Sequence, residues 1–239
     1  MVLPGQFLER PTLIARPDPW AEGGVVTLEG LFHRGSRAPA VVVCPPHPRL
    51  GGSMDSPVVA ELAWSLTKRG RATLRFNYQG VGASGGTLHA SAPDGHLEKL
   101  ALAALSSEVG DASAAVNLLT ASVPDGKVAI VGYSFGAAVA LALVQSRPAI
   151  RPLILVSPPT TLFDWELLRS VQQPTLIVVG HKDPLVDRQA LSPLLPDVEG
   201  SRLEVIAHAD HVFSRGLTEL GRVVGDWLES LRTVGLPQE

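Results

Sequence analysis

The feature that most constrains this chain is a rhythm of short, almost wholly apolar runs, each bounded by turn residues and separated by stretches of helical period. The runs are AVVVC (40–44), RATLRFN (71–77), KVAIVG (127–132), PLILVS (152–157), PTLIVVG (174–180) and RLEVIA (202–207). Continuous Val, Ile and Leu without alternation suits strands covered on both faces, as in a parallel sheet. The intervening stretches 56–69, 108–122, 135–146, 188–195 and 212–232 read as helices. Strand–helix alternation of this kind predicts an open, mostly parallel twisted sheet with helices on both faces. Before it, RPTLIAR (10–16) and GGVVTLEGLFH (23–33) flank a PDPW turn and read as an antiparallel opening, which brings the expected sheet to about eight strands. With 239 residues, no internal repeat and no low-complexity linker, the whole of 1–239 is expected to form one α/β domain.

The composition removes several classes of function. A formal net charge of −3 with scattered basic residues leaves no footprint for nucleic acid. No apolar run is long enough to span a bilayer. The single cysteine, Cys44, rules out an internal disulfide and a cysteine-based metal site. The N-terminal stretch lacks a basic segment followed by an apolar one, so the expected location is cytoplasmic.

In parallel sheets of this kind the chemistry sits beyond the carboxyl ends of the strands. Between the strand KVAIVG and the helix FGAAVALALVQ stands Gly-Tyr-Ser-Phe-Gly (132–136), a match to the nucleophile elbow G-x-S-x-G. A turn this sharp strains the serine backbone, and Gly132 and Gly136 remove side chains that would crowd it. Ser134 is therefore the candidate nucleophile, against the plainer reading of a structural turn serine.

A serine hydroxyl needs a base, and the base an orienting carboxylate, in the chain order Ser, acid, His. The histidines after Ser134 are His181, His208 and His211. His211 follows the last strand run and is the expected base. His208 is expected to cap or line the loop, and His181 competes poorly on order. Asp183 follows PTLIVVG directly and is the expected acid. Asp187 suits a helix cap better, and Asp210 reads as a loop residue.

Acyl transfer also needs two backbone donors for an oxyanion. The expected first donor is Phe135 N–H. The second should come from PPHPRLGG (45–52), where Pro45, Pro46 and Pro48 have no N–H, leaving Arg49 or Leu50. His47, Tyr78, Phe163 and Trp165 are the candidate pocket-lining residues, His47 with a structural role as its plainer alternative. The Arg49 side chain reads as solvated, with selection of an anionic substrate as the alternative, and Cys44 as buried and idle.

Together HPRLGGSMDSPVV, RFNYQGVGASGG, GYSFGAA, GHKDPLVD and ADHVF resemble, in order, the motifs of small lidless bacterial serine α/β-hydrolases of the esterase and dienelactone-hydrolase-like group. The resemblance covers roughly residues 25 to 232. It implies an α/β-hydrolase fold without a full lid domain, a Ser134–Asp183–His211 triad, and no metal or organic cofactor. Dienelactone hydrolases themselves fit less well, because their nucleophile is a cysteine. Gly80, Gly82 and Ser84 match a turn shared across the superfamily, expected to buttress the elbow.

The chain departs from that pattern in TLHASAPDGHLEKLALAALSS (87–107), which is longer than expected. Leu97, Leu100 and Ala104 or Leu105 would share one helical face. Three readings compete: a helix extension, a flap over the site, or a homodimer contact. By contrast, the link 158–173, where lids are usually inserted, is short. The expectation is a carboxylic-ester hydrolase acting on short or exposed acyl groups of a small-molecule ester. An amidase, peptidase or thioesterase with the same triad is the alternative among enzymes, and a catalytically silent binding protein the alternative outside them.

Overall fold

The computed structural model describes residues 9–19, 21–88 and 102–233. One eight-stranded sheet organises them, in the order β1-β2-β4-β3-β5-β6-β7-β8. β1 (Arg10–Pro17) and β2 (Val25–His33) form an antiparallel pair, with Arg10 opposite Phe32 and Pro17 opposite Val25. β2 joins the remainder antiparallel to β4 (Arg71–Phe76). From there β3 (Arg37–Cys44), β5 (Val128–Tyr133), β6 (Leu153–Val156), β7 (Thr175–Gly180) and β8 (Arg202–Ile206) continue in parallel. Every strand expected from the apolar runs is present, and the antiparallel opening is where the alternating segments placed it.

The unbroken apolar runs are explained by two cores, one on each face of the sheet. Val42, Cys44, Ile130, Leu153, Leu155, Ile177 and Val179 point to one face. Val41, Val43, Ala129, Val131, Ile154, Val156, Leu176 and Val178 point to the other. Each strand alternates sides residue by residue, as the pleat requires, yet both sides are covered. The first face is covered by α2 (Ser106–Ser122) and α3 (Phe135–Ser146), the second by α1 (Pro57–Lys68) and α5 (Leu217–Thr233). α1 buries Val58, Val59, Leu62 and Leu66, and α5 buries Leu220, Val224, Trp227, Leu228 and Leu231, both at the spacing of one helical face.

Two helices differ from expectation. The stretch 188–195 is a short α4 (Arg188–Leu191) followed by a 3-10 turn over Ser192–Leu194, because Pro193 cannot donate to a continuing helix. α5 begins at Leu217 and not at 212. Phe213 and Gly216 both have positive φ, 52° and 88°, which holds the preceding segment out of helical geometry.

Within the long insertion, 89–101 lies outside the described residues, and with it the Leu97–Leu100 face. At its C-terminal end a 3-10 turn (Leu102–Leu105) leads directly into α2, with Leu102 and Leu105 buried in the core. The link between β6 and β7 contains one 3-10 turn, Glu166–Ser170, and no lid domain.

Candidate active site

The site is built where β5 turns into α3. Ser134 occupies the turn with φ 53° and ψ −118°, a backbone conformation that non-glycine residues rarely adopt. The Ser134 N–H donates to the Val156 carbonyl (2.9 Å) and its own carbonyl accepts from Ala137 N–H (2.9 Å), so the turn is fixed from both sides. The glycines answer to specific backbone atoms. A Cβ on Gly132 would collide with the Gly136 carbonyl, and one on Gly136 would collide with the Cys44 carbonyl and stand 2.6 Å from the Pro45 oxygen. The elbow is thus pressed against the end of β3.

Downstream residues meet the serine from two loops. His211 Nε2 lies 2.9 Å from Ser134 Oγ, and its Nδ1 lies 2.8 Å and 3.0 Å from the two carboxylate oxygens of Asp183. The Asp183 side chain is fully buried, and its Oδ1 also accepts the Leu185 N–H (3.0 Å). With Nδ1–H donated to the carboxylate, Nε2 is left as the acceptor facing the serine hydroxyl. This arrangement can withdraw the Ser134 proton as Oγ attacks an electrophile.

The competing residues have other occupations. Asp187 caps α4, accepting from the Gln189 and Ala190 N–H groups. Asp210 is held by the Ser214 hydroxyl and N–H, which lower its pKa below the ordinary carboxylate value. His181 and His208 are exposed. Two features were missed by sequence reasoning. Gly180 has no room for a Cβ, which would lie 2.6 Å from the Ala209 carbonyl oxygen, so its bareness lets the acid loop and the His211 loop approach. The other is Tyr133, whose hydroxyl donates to the His211 carbonyl (3.0 Å).

The loop after β3 corrects the expected oxyanion donors. It forms a 3-10 turn, Pro48–Leu50, in which Arg49 N–H donates to His47 Nδ1 (3.2 Å) and Leu50 N–H to the His47 carbonyl (3.0 Å). Both groups expected to serve an oxyanion are engaged inside the turn. The candidate pocket wall is corrected as well. His47, Tyr78, Phe163 and Trp165 are 4%, 1%, 0% and 2% exposed, so they offer little surface to a substrate. His47, Tyr78 and Phe163 surround the Phe135 ring at centroid distances of 4.6, 5.9 and 6.0 Å. The Tyr78 hydroxyl donates to the Pro45 carbonyl (3.3 Å), and burial raises the pKa of that phenol. Cys44 is likewise buried, and its thiol pKa is raised.

The glycine turn after β4 is tied to β2 and to the segment after the β3 loop. The Ser84 hydroxyl accepts from Glu29 N–H (2.9 Å) and donates to the Asn77 carbonyl (3.0 Å). Asn77 Oδ1 in turn accepts the Met54 N–H (2.8 Å) from the segment after the β3 loop. Asp111 of α2 receives both the backbone N–H and the side-chain amide of Gln79, and pairs with Arg16 (3.0 Å). No helix among the described residues is long and apolar enough to cross a membrane. Nor do they hold a group of three or more His, Cys, Asp or Glu side chains arranged for a metal ion.

A family model described as serine aminopeptidase, S33, matches residues 41–163, just over half the chain. The chain belongs to this family of serine hydrolases. The matched span carries the loop after β3 and the elbow, and ends before Asp183 and His211. The S33-family chain is 28% identical over 229 residues to the uncharacterized protein RP471 of Rickettsia prowazekii, covering 91% of this chain and 90% of that protein. Among solved structures it is similar to ATU1826 of Agrobacterium tumefaciens, a protein of unknown function assigned to the alpha/beta hydrolases. The TM-score is 0.77 at 25% identity, covering 96% of this chain and all of that one. It also matches the fold of XC6422 of Xanthomonas campestris, a serine hydrolase without a lid, with a TM-score of 0.70 at 23% identity and 97% of each chain covered. The chain has the α/β-hydrolase fold and is similar to small bacterial members of it that lack a lid.

Proposed function

We propose that this chain is a carboxylic-ester hydrolase working through an acyl-enzyme on Ser134. The observation that carries the proposal is the continuous hydrogen-bonded chain Asp183–His211–Ser134 on a strained elbow. Ser134 Oγ attacks the acyl carbon as His211 Nε2 takes its proton, and the buried Asp183 carboxylate holds the resulting imidazolium. His211 then returns the proton to the leaving alcohol, and water deacylates the enzyme with the same base.

The oxyanion is assigned to the N–H groups of Phe135 and His47. Phe135 supplies the first N–H of α3, at the positive end of the helix. His47 comes directly before the 3-10 turn that engages Arg49 and Leu50, and its ring packs on Phe135. The short link between β6 and β7, which carries no lid domain, and the burial of the neighbouring aromatics favour short or solvent-exposed acyl groups. Exposed Leu50, in the loop after β3, and exposed Val212, next to His211, are candidates for the apolar surface such a group would meet.

The family description favours a second reading, hydrolysis of amides or peptides, since the same triad serves any acyl carbon. Measuring kcat/KM on matched p-nitrophenyl ester, thioester and anilide substrates separates the two. The ester is expected to be turned over fastest, and a dominant anilide activity transfers the assignment to peptidase. Ser134→Ala should abolish turnover and labelling by a fluorophosphonate while the thermal melt stays nearly unchanged. Retained turnover in that variant overturns the nucleophile assignment.

A further inference from the structure

The residue before the nucleophile touches the base twice. Tyr133 ends β5, is 4% exposed, and donates its hydroxyl to the backbone carbonyl of His211 (3.0 Å). Its ring centroid also lies 5.8 Å from that of the imidazole, with the planes tilted by 33°. Burial keeps the phenol in its protonated, donating form by raising its pKa.

The loop that receives these contacts needs holding. His208 and Phe213, on either side of His211, have φ of 62° and 52°. Non-glycine residues stay in that region only when their surroundings impose it. Phe213 is anchored in the core, Asp210 binds Ser214, and Lys182 N–H donates to the Ala209 carbonyl (2.8 Å). Among the described contacts to His211, only the Tyr133 hydroxyl bonds its backbone, and it comes from the strand that carries the nucleophile.

We propose that Tyr133 is a positioning residue for His211: its hydroxyl fixes the height of the imidazole over Ser134, and its ring face receives the imidazolium formed during acylation. The second role follows from distance, because a cation within about 6 Å of an aromatic centroid is attracted by the ring quadrupole. The other charged groups near the imidazole are Asp183, bonded to Nδ1, and Asp210, adjacent in the loop. Neither is altered by a change at Tyr133. The proposal rests on the serine-hydrolase reading above, whatever the acyl substrate.

Two variants separate the roles. Tyr133→Phe keeps the ring and removes the hydroxyl, and Tyr133→Leu removes both. Active sites are counted by fluorophosphonate titration, and kcat, KM and the pH profile are measured per titrated site with p-nitrophenyl acetate. In Tyr133→Phe, kcat should fall about tenfold with KM unchanged and the acid limb in place, since a 1 Å misplacement costs about a hundredfold and a smaller drift costs less. Tyr133→Leu should lose more, and its acid limb should move to lower pH because the protonated base has lost a favourable partner. A merely structural Tyr133 lowers the melting temperature and leaves kcat per titrated site and the pH profile alone. Wild-type kcat in the Phe variant therefore overturns the proposal, even if the Leu variant does not fold. If the wild-type protein is neither labelled nor active, the serine-hydrolase reading falls and this proposal with it.

Discussion

Replacing Gly136 with alanine adds one methyl group at the point where the elbow presses on β3. That Cβ would collide with the Cys44 carbonyl oxygen and stand 2.6 Å from the Pro45 oxygen and 2.8 Å from the Cys44 carbonyl carbon. Comfortable non-bonded contacts begin at about 3.5 Å, so the end of β3 must retreat by about 1 Å. The obstructing atoms are backbone, and no side chain can swing aside. Overpacking of this kind typically costs about 1–3 kcal/mol. At about 2–4 °C per kcal/mol for a chain of this size, the melting temperature should drop by about 2–12 °C. The catalytic effect should be larger. The displaced segment carries His47, and a 1 Å error in placing a stabilising group costs about a hundredfold in kcat. Gly85→Ala is the control, because its nearest neighbour would be an ordinary contact at 3.5 Å. Thermal melts and p-nitrophenyl ester turnover on both variants test the argument. If Gly136→Ala melts and turns over like wild type while Ser134→Ala is dead, the loop after β3 does not depend on the elbow for its position. The assignment of His47 N–H to the oxyanion then fails.

The two aspartates of the GHKDPLVD segment should behave oppositely. Asp183→Asn should lower kcat by about four orders of magnitude with little change in melting, because the amide favours the wrong imidazole tautomer. Asp187→Ala should cost about 1 kcal/mol through loss of the α4 cap and leave kcat intact; the reverse pattern would exchange their roles. Burial raises the Asp111 carboxyl pKa, against the opposing hydrogen bonds of Gln79 and the charge of Arg16. A carboxyl with a folded pKa above its unfolded value binds more protons when folded, so its contribution to stability falls as pH rises from 3.8 through the raised value. The stability difference between wild type and Asp111→Asn, followed by urea titration across that window, should shift against wild type as pH rises. An opposite slope means that the Gln79 and Arg16 contacts outweigh burial.

The strands and the triad were legible because each is dictated by short-range chemistry. A run such as AVVVC can be satisfied only where both faces are covered, which identifies a central strand without knowledge of its neighbours. Ser134 directly follows β5, and Asp183 and His211 lie in the loops that leave β7 and β8, so the carboxyl ends of the strands bring them together. Asp187 could be set aside on local grounds too, since a carboxylate just before a helix has N–H groups to accept. Helix ends were less legible. The α5 start depends on Phe213 and Gly216 holding positive φ, and for Phe213 that conformation comes from packing and not from residue type.

The pocket residues were not legible for a different reason. Tyr78, Phe163 and Trp165 are aromatic and lie close to the strand ends, and that pattern is shared by a substrate wall and by the packing beneath it. What separates them is depth relative to Phe135, which depends on how far each loop folds back over the sheet. Here both loops fold inward, the Tyr78 and Phe163 rings pack on Phe135, the first residue of α3, and the Trp165 indole donates to the Pro159 carbonyl. The loop donors failed similarly. Counting N–H groups in PPHPRLGG finds the atoms capable of donating, but the direction of each donor follows from the turn the loop adopts. Once His47 caps a 3-10 turn, it engages the Arg49 and Leu50 donors itself, so their N–H groups cannot also point at Ser134. The proposed oxyanion donor is therefore placed before the turn, where Pro45 and Pro46 lack N–H and His47 has one.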